Sequence, residues 1–353
     1  MTRWVASAPG KVVLLGEYAV LEGAPALVQA VDRRCRVELT GCSARDCRVE
    51  VPQLGIPPVG FRLGEDGRPL WPGDLAPEFA RTAALIDAVL EHTGERGGRI
   101  VPFRLRIDTG ELFDGSPRHP LKLGLGSSAA SAVAIDAALQ AAFLGEPADE
   151  SAERRVERLL VPGRAAQGNA GSGIDLAASL CGGTLAYRLD GERVEIRPVV
   201  LPEGIECCFI WAGEPASTGA LLAAWQGLRE ASPREYGRIL GEMQAVAAAG
   251  IDAVDHADAA RMLACWSDYG EIMGKMNDVI AREVVTVEHR LAGALAQLLG
   301  GVYKPCGAGG GDLGLAASDD ARFVARMREL CDKAGLATLP IRPGEQGVCV
   351  TRE

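Results

Sequence analysis

Three glycine-rich stretches hold the residues of this chain that could do chemistry. In "LGLGSSAA" (123–130), Gly124, Gly126, Ser127 and Ser128 stand directly ahead of an alanine-rich run. Glycines let a backbone approach a ligand closely. The first N–H groups of a helix have no intrahelical partner, and the helix dipole adds roughly half a positive charge there. The stretch is therefore either a sharp turn with an N-cap or a cradle for an anion such as phosphate. Gly124, Leu125, Gly126, Ser127, Ser128 and Ala129 form that candidate cradle, and a serine hydroxyl there can hold a phosphate oxygen or Mg2+. The spacing is not that of a Walker A loop, GxxxxGK[ST].

"AQGNAGSGIDLAASLCGG" (166–183) carries Asp175. Its carboxylate reads either as an N-cap for a helix over 176–180 or as a group that takes or orients the proton of an attacking hydroxyl. General-base help of that kind is worth about 10² to 10⁴ in rate. Lys11, in "APGKVVLLGEYAV", is either a surface lysine of a strand or a cation beside such a carboxylate, steadying phosphoryl charge. In "KPCGAGGGDLGLAAS" (304–318), four of five consecutive positions are glycine, too many for a simple turn. That density predicts close packing against a ligand or another loop. Lysine is scarce, and Lys11, Lys122 and Lys304 lie within or beside these stretches.

The elements that must position these residues follow from periodicity. Strand-type residues at 26–30 and 35–39 are separated by turn residues, and a Pro/Gly-rich surface stretch spans 55–73. Helical spacing over 77–92 puts Phe79, Ala83, Ile86 and Leu90 on one face. Residues 100–107 alternate as a strand. The almost uncharged run 128–144 predicts a helix buried all round. Strands at 184–189 and 194–200 close a first domain, 1–202. Beyond it, helices are expected at 217–230, 233–249, 257–279, 286–299 and 319–334, with a short strand at 347–351. This is an α+β second domain, 203–353. Met262, Trp266, Tyr269, Met273 and Met276 read as core packing, and Asn277 is a candidate to face a substrate. His92, His119, His256 and His289 have no triad partner spacing and read as surface or structural.

The 353 residues carry a net charge of −10, which argues against a nucleic-acid or anionic-membrane binder. Ten scattered cysteines without CxxC or Cys/His ligand spacing read as free thiols, not a zinc site. No apolar run is long enough for a membrane span, and the N-terminus is a poor signal peptide. The expectation is a cytoplasmic monomer or homodimer.

Taken in order, "APGKVVLLGEYAVLEG", "LGLGSSAA" and "CGAGGGDLGLA" resemble the three motifs of the galactokinase–homoserine kinase–mevalonate kinase–phosphomevalonate kinase (GHMP) superfamily. "GEYAVLEG", "AQGNAGSGIDLAAS" and "WAGEPASTGALL" (211–222) most resemble the phosphomevalonate kinase family within it. The resemblance implies a ribosomal-protein-S5-like N-terminal domain and a ferredoxin-like C-terminal domain with the site between them. It implies ATP and Mg2+, with mevalonate 5-phosphate as acceptor; the alternatives are mevalonate or another small molecule as acceptor on the same fold and, further off, a non-catalytic binding relative. Gly124, Leu125, Gly126, Ser127, Ser128 and Ala129 would bind ATP, with Ser128 on the metal, and Lys11 and Asp175 would be catalytic. Glu17, Tyr18, Ser172, Gly173, Ser217, Thr218, Gly309, Gly310, Gly311 and Asp312 would serve the substrate. Ser217, Thr218 and Arg164 are candidates for the acceptor phosphate. Two positions depart from family patterns. Asn169 stands where phosphomevalonate kinases have Lys, and Arg164 stands where mevalonate kinases place a metal-binding Glu. A phosphate monoester is already largely dianionic at pH 7, so Asp175 would orient groups more than remove a proton.

Overall fold

The computed structural model describes residues 2–42, 46–115, 121–145, 150–166, 171–213 and 217–353, with backbone alone for 161–166. Two long strands, β1 (Arg3–Leu15) and β2 (Ala26–Gly41), form an antiparallel hairpin at the centre of the first sheet. The ladder shifts register between Pro9 and Lys11. Proline has no N–H to give a ladder, and a bulge is where strands tolerate it. Beyond the bulge the Lys11 N–H turns to the Leu125 carbonyl at 2.9 Å. The strand thus breaks its own ladder to hold the glycine stretch 123–130.

β3 (Asp46–Glu50), β4 (Val59–Leu63) and β5 (Pro69–Leu70) extend the sheet, so the Pro/Gly-rich stretch 55–73 contains two short strands, with β5 at the sheet edge. Helix α1 (Pro77–Glu95) follows, with Phe79, Ala83, Ile86 and Leu90 buried as their spacing predicts. β6 (Phe103–Asp108) pairs with one half of β2, and β7 (Thr184–Asp190), hairpinned to β8 (Arg193–Val199), pairs with the other. Between them lie α2 (Ser127–Phe143), α3 (Ala152–Ala166) and α4 (Ile174–Cys181). α2 and α4 pack on β1 and β2. The single acid of α2, Asp136, is fully buried; Arg155 and Arg158 of α3 hold it at 2.7 and 2.8 Å, and Gln140 donates to it. Burial alone would raise the Asp136 carboxyl, but the two guanidinium groups hold it below its ordinary value.

The second sheet contains β9 (Glu206–Trp211), β10 (Val302–Pro305), β11 (Leu313–Ser318) and β12 (Ala337–Leu339). Its order is β12-β9-β11-β10, every pair antiparallel, the split βαβ arrangement of ferredoxin-like folds. α5 (Thr218–Ala231), α6 (Pro233–Asp255) and α7 (Ala259–Ile280) lead to α8 (Val287–Leu298), and α9 (Phe323–Lys333) follows β11. Phe323, Met327 and Cys331 of α9 pack with Ala292 and Ala296 of α8 under β9. Met262, Trp266, Tyr269, Met273 and Met276 of α7 are all buried, as core residues should be. Chain 340–353 then runs back over the first sheet. The Val348 N–H reaches the Leu180 carbonyl at 3.1 Å, and β13 (Cys349–Arg352) pairs with β1. Arg34 clamps this return, donating to the Gln346 and Gly347 carbonyls. All ten cysteines are free thiols, and among the described residues no helix is long and apolar enough to cross a membrane.

Candidate active site

Gly126 is the N-cap of α2 and adopts φ 74°, with Gly124 at φ 73°; both lie in the left-handed region that favours glycine. Their missing side chains also matter. A Cβ on Gly124 would lie 2.6 Å from Asp312 Cβ, and one on Gly126 would lie 3.0 Å from Lys11 Cε. The Lys11 ammonium reaches the Gly124 carbonyl at 3.4 Å. Lys11 and the glycine stretches 123–130 and 304–318 therefore meet at the N-terminus of α2. Ser127 and Ser128 are half-buried there, while Leu125 and Ala129 are buried and can offer a ligand only their backbone. The Ser127 carbonyl accepts from Ser131, and the Ser128 hydroxyl accepts from Arg81 Nη1 at 3.4 Å. Arg81 belongs to none of the glycine stretches, and nothing in its sequence neighbourhood marks it.

Asp175 differs from its N-cap expectation. Gly173 takes the N-cap of α4 in the left-handed region, and Asp175 lies one residue inside the first turn, accepting from the Leu176 N–H at 3.0 Å. No ion pair joins it to Lys11 within 4 Å. A Cβ on Gly173 would meet Leu160 Cδ2 at 2.8 Å, so this glycine lets α3 lie close. The Ser172 carbonyl accepts from Tyr187 at 2.6 Å. Ser217 and Thr218 are exposed at the start of α5. Asn169 and the side chain of Arg164 lie outside the described residues.

The third stretch is built into the protein. Glu17 is 4 % exposed, and its Oε1 accepts from Lys304 Nζ at 2.5 Å and from the Gly307 N–H at 3.3 Å. Its carboxylate is thus committed to bracing this stretch from below. Burial pushes the Glu17 carboxyl up, and the Lys304 ammonium opposes that. The Tyr18 hydroxyl donates to the Ala308 carbonyl at 2.5 Å. The Gly310 N–H meets the Val284 carbonyl at 2.7 Å, and a Cβ on Gly309 would lie 2.3 Å from that oxygen. Gly309 and Gly310 therefore pack against another loop, one of the two uses the density of this stretch predicts. Asn277, instead of facing a substrate, ties that loop by bonding the Val284 and Val285 backbone. Asp312 has φ 54°, and its carbonyl accepts from Ala212 at 2.8 Å.

His289 is fully buried, with Nε2 2.9 Å from the Gly311 carbonyl and Nδ1 2.7 Å from the Tyr303 hydroxyl. A carbonyl only accepts, so Nε2 carries the proton and Nδ1 accepts from Tyr303. Burial pulls the imidazole down to about 4, keeping it neutral at pH 7. The unfolded imidazole, near 6.5, takes a proton that the folded one refuses. This contribution is complete above pH 6.5 and is lost as pH falls through about 4, an expected loss of roughly 3 kcal/mol. Urea unfolding of the wild type and His289→Gln at pH 7, 5.5 and 4 checks it. Parallel profiles for the two proteins would remove His289 as the source.

A family model described as the GHMP kinases N-terminal domain matches residues 81–183. The phosphomevalonate kinase of Streptomyces sp. (strain CL190) is 30% identical over 381 residues, covering 98% of each chain. The mevalonate kinase of Aeropyrum pernix is 36% identical over 196 residues, 55% of this chain and 53% of that one. Among solved structures, a Listeria innocua protein superposes with TM-score 0.88 at 24% identity over 99% of both chains. Streptococcus pneumoniae phosphomevalonate kinase, in complex with phosphomevalonate and AMPPNP, superposes with TM-score 0.77 at 20% identity, over 96% of this chain and 99% of that one.

Proposed function

The chain belongs to the GHMP kinases, and from that premise we propose that it transfers the γ-phosphoryl group of ATP to the phosphate of mevalonate 5-phosphate, giving the 5-diphosphate and ADP. The observation that carries the kinase reading is the convergence of Lys11, Gly124, Gly126 and Asp312 on the N-terminus of α2. Similarity along nearly its whole length to a phosphomevalonate kinase supports the acceptor.

ATP with Mg2+ supplies the transferred group and neutralises part of its charge. The residues present fit both. Gly124 and Gly126 let Asp312 and Lys11 close on the loop where a Cβ would collide, and the first N–H groups of α2 are left without intrahelical partners to offer a phosphate. Mg2+ needs few protein ligands beside phosphate and water. Ser128 can supply one, since a hydroxyl has two acceptor lone pairs and Arg81 engages one. Lys11, already on the Gly124 carbonyl, places an ammonium against the transferring group. Asp175, at the start of α4, orients the acceptor. Ser217 and Thr218 hold the acceptor phosphate from α5. Such transfer depends on positioning and charge neutralisation more than on proton removal.

A second reading, phosphorylation of mevalonate itself, draws on the higher identity to a mevalonate kinase over 196 residues. ADP release with Mg-ATP, offering mevalonate 5-phosphate and mevalonate in parallel, decides between them. Turnover with the phosphate alone is the expected result. Turnover with mevalonate alone would overturn the acceptor assignment.

A further inference from the structure

We propose that Arg81 of α1 is a nucleotide-phosphate contact, a third cation brought to the α2 N-terminus from outside the three glycine stretches. The proposal rests on reading 124–129 as the nucleotide cradle. Arg81 is exposed, and its guanidinium donates to the Ser128 hydroxyl at 3.4 Å, a long bond for so strong a donor. Among the described residues no carboxylate lies within 4 Å of Arg81, although the chain has ten more acidic than basic residues. Lys122 stands exposed five residues ahead of α2, near enough to Arg81 and to Asp312 that both charges act on its ammonium, in opposite directions. Lys11, on the Gly124 carbonyl, is likewise without a carboxylate within that distance. Three cations thus converge on a helix end that already carries partial positive charge. Their mutual repulsion is relieved by a polyanion there. The five donors of Arg81 let it keep Ser128 and also take a phosphate oxygen.

A phosphate contact is graded by the number of phosphates, and a brace for Ser128 is not. AMPPNP, ADP and AMP are therefore titrated in Mg2+, without acceptor, into the full chain as wild type, Arg81→Met and Arg81→Lys. Arg81→Met is expected to weaken AMPPNP about tenfold or more, the scale of one charge-assisted bond, and AMP less than twofold. Arg81→Lys recovers part of the loss, the thermal midpoint stays in place, and AMPPNP binding by the variant depends less on salt. Unchanged AMPPNP affinity in Arg81→Met, or an equal loss for AMP, overturns the proposal. So does a KM increase confined to the acceptor. A wild type that binds AMPPNP with this grading yet turns over neither acceptor leaves the Arg81 assignment standing and removes the proposed function.

Discussion

Replacing Lys11 by Met will lower kcat by about two to three orders of magnitude, the usual cost of losing one positioned donor to developing charge. The ammonium is the group nearest the cradle that β1 delivers, and the Pro9–Lys11 bulge exists to deliver it. Methionine keeps a stem of similar length against Gly126, so stability should change little. Arg will not restore the rate. Its planar fork is larger than an ammonium and spreads its charge differently, and the space beside Gly126 is tight even for the lysine stem. Steady-state kinetics with both substrates saturating, beside a thermal melt, checks this. Retained kcat in Lys11→Met would place the chemistry elsewhere.

The second large effect lies beneath the site. Lys304→Met will cost about 3–5 kcal/mol of folding stability, because it leaves a buried carboxylate without its counter-charge. Lys304 and Glu17 are both buried, and Lys304 also donates to the Pro305 carbonyl at 2.6 Å. Glu17 Oε2 is buried without a hydrogen-bond partner even when the pair is intact, and without Lys304 only the Gly307 N–H would remain on Oε1. A typical domain has only about 5–15 kcal/mol in total. The double variant Glu17→Leu/Lys304→Met should recover most of the loss, since removing both charges of a buried pair is often neutral. Urea unfolding at pH 7 measures all the terms of the cycle. A single variant that loses under about 1 kcal/mol would show that the pair is not what joins segment 8–23 to the stretch 304–318.

What the sequence shows and hides follows from how local each signal is. The start of α2 is legible because glycine and serine ahead of an alanine run are a local pattern, and the observed helix begins at Ser127. β1 is not, because Pro9 and Gly10 break the apolar alternation in the middle of a 13-residue strand. Their reason is the Leu125 carbonyl, more than a hundred residues away. Asp136 looks like an intruder on an apolar helix until α3, whose two arginines hold it, is known. Glu17 carries a family motif, yet its partner is Lys304, 287 positions on. His289 has the same difficulty. Its ring meets Tyr303 and Gly311, and one histidine on an amphipathic helix gives no sign of what tertiary contact will bury it. Arg81 illustrates the limit most clearly, since only folding brings α1 to Ser128.

The return of β13 to β1 also sets an order of events in synthesis. Ser7 is laddered to Cys349, so one edge of the strand that carries Lys11 stays unpaired until 342 further residues have been made. At about 5–20 residues per second this interval is on the order of half a minute. Through that time β1 offers an open edge to other chains. Gly347 then seats against the Leu180 carbonyl, where a Cβ would lie only 2.2 Å away, directly behind the helix that carries Asp175. The phosphate loop and its helix are complete by the middle of translation, but the scaffold behind them closes only with the chain's final strand.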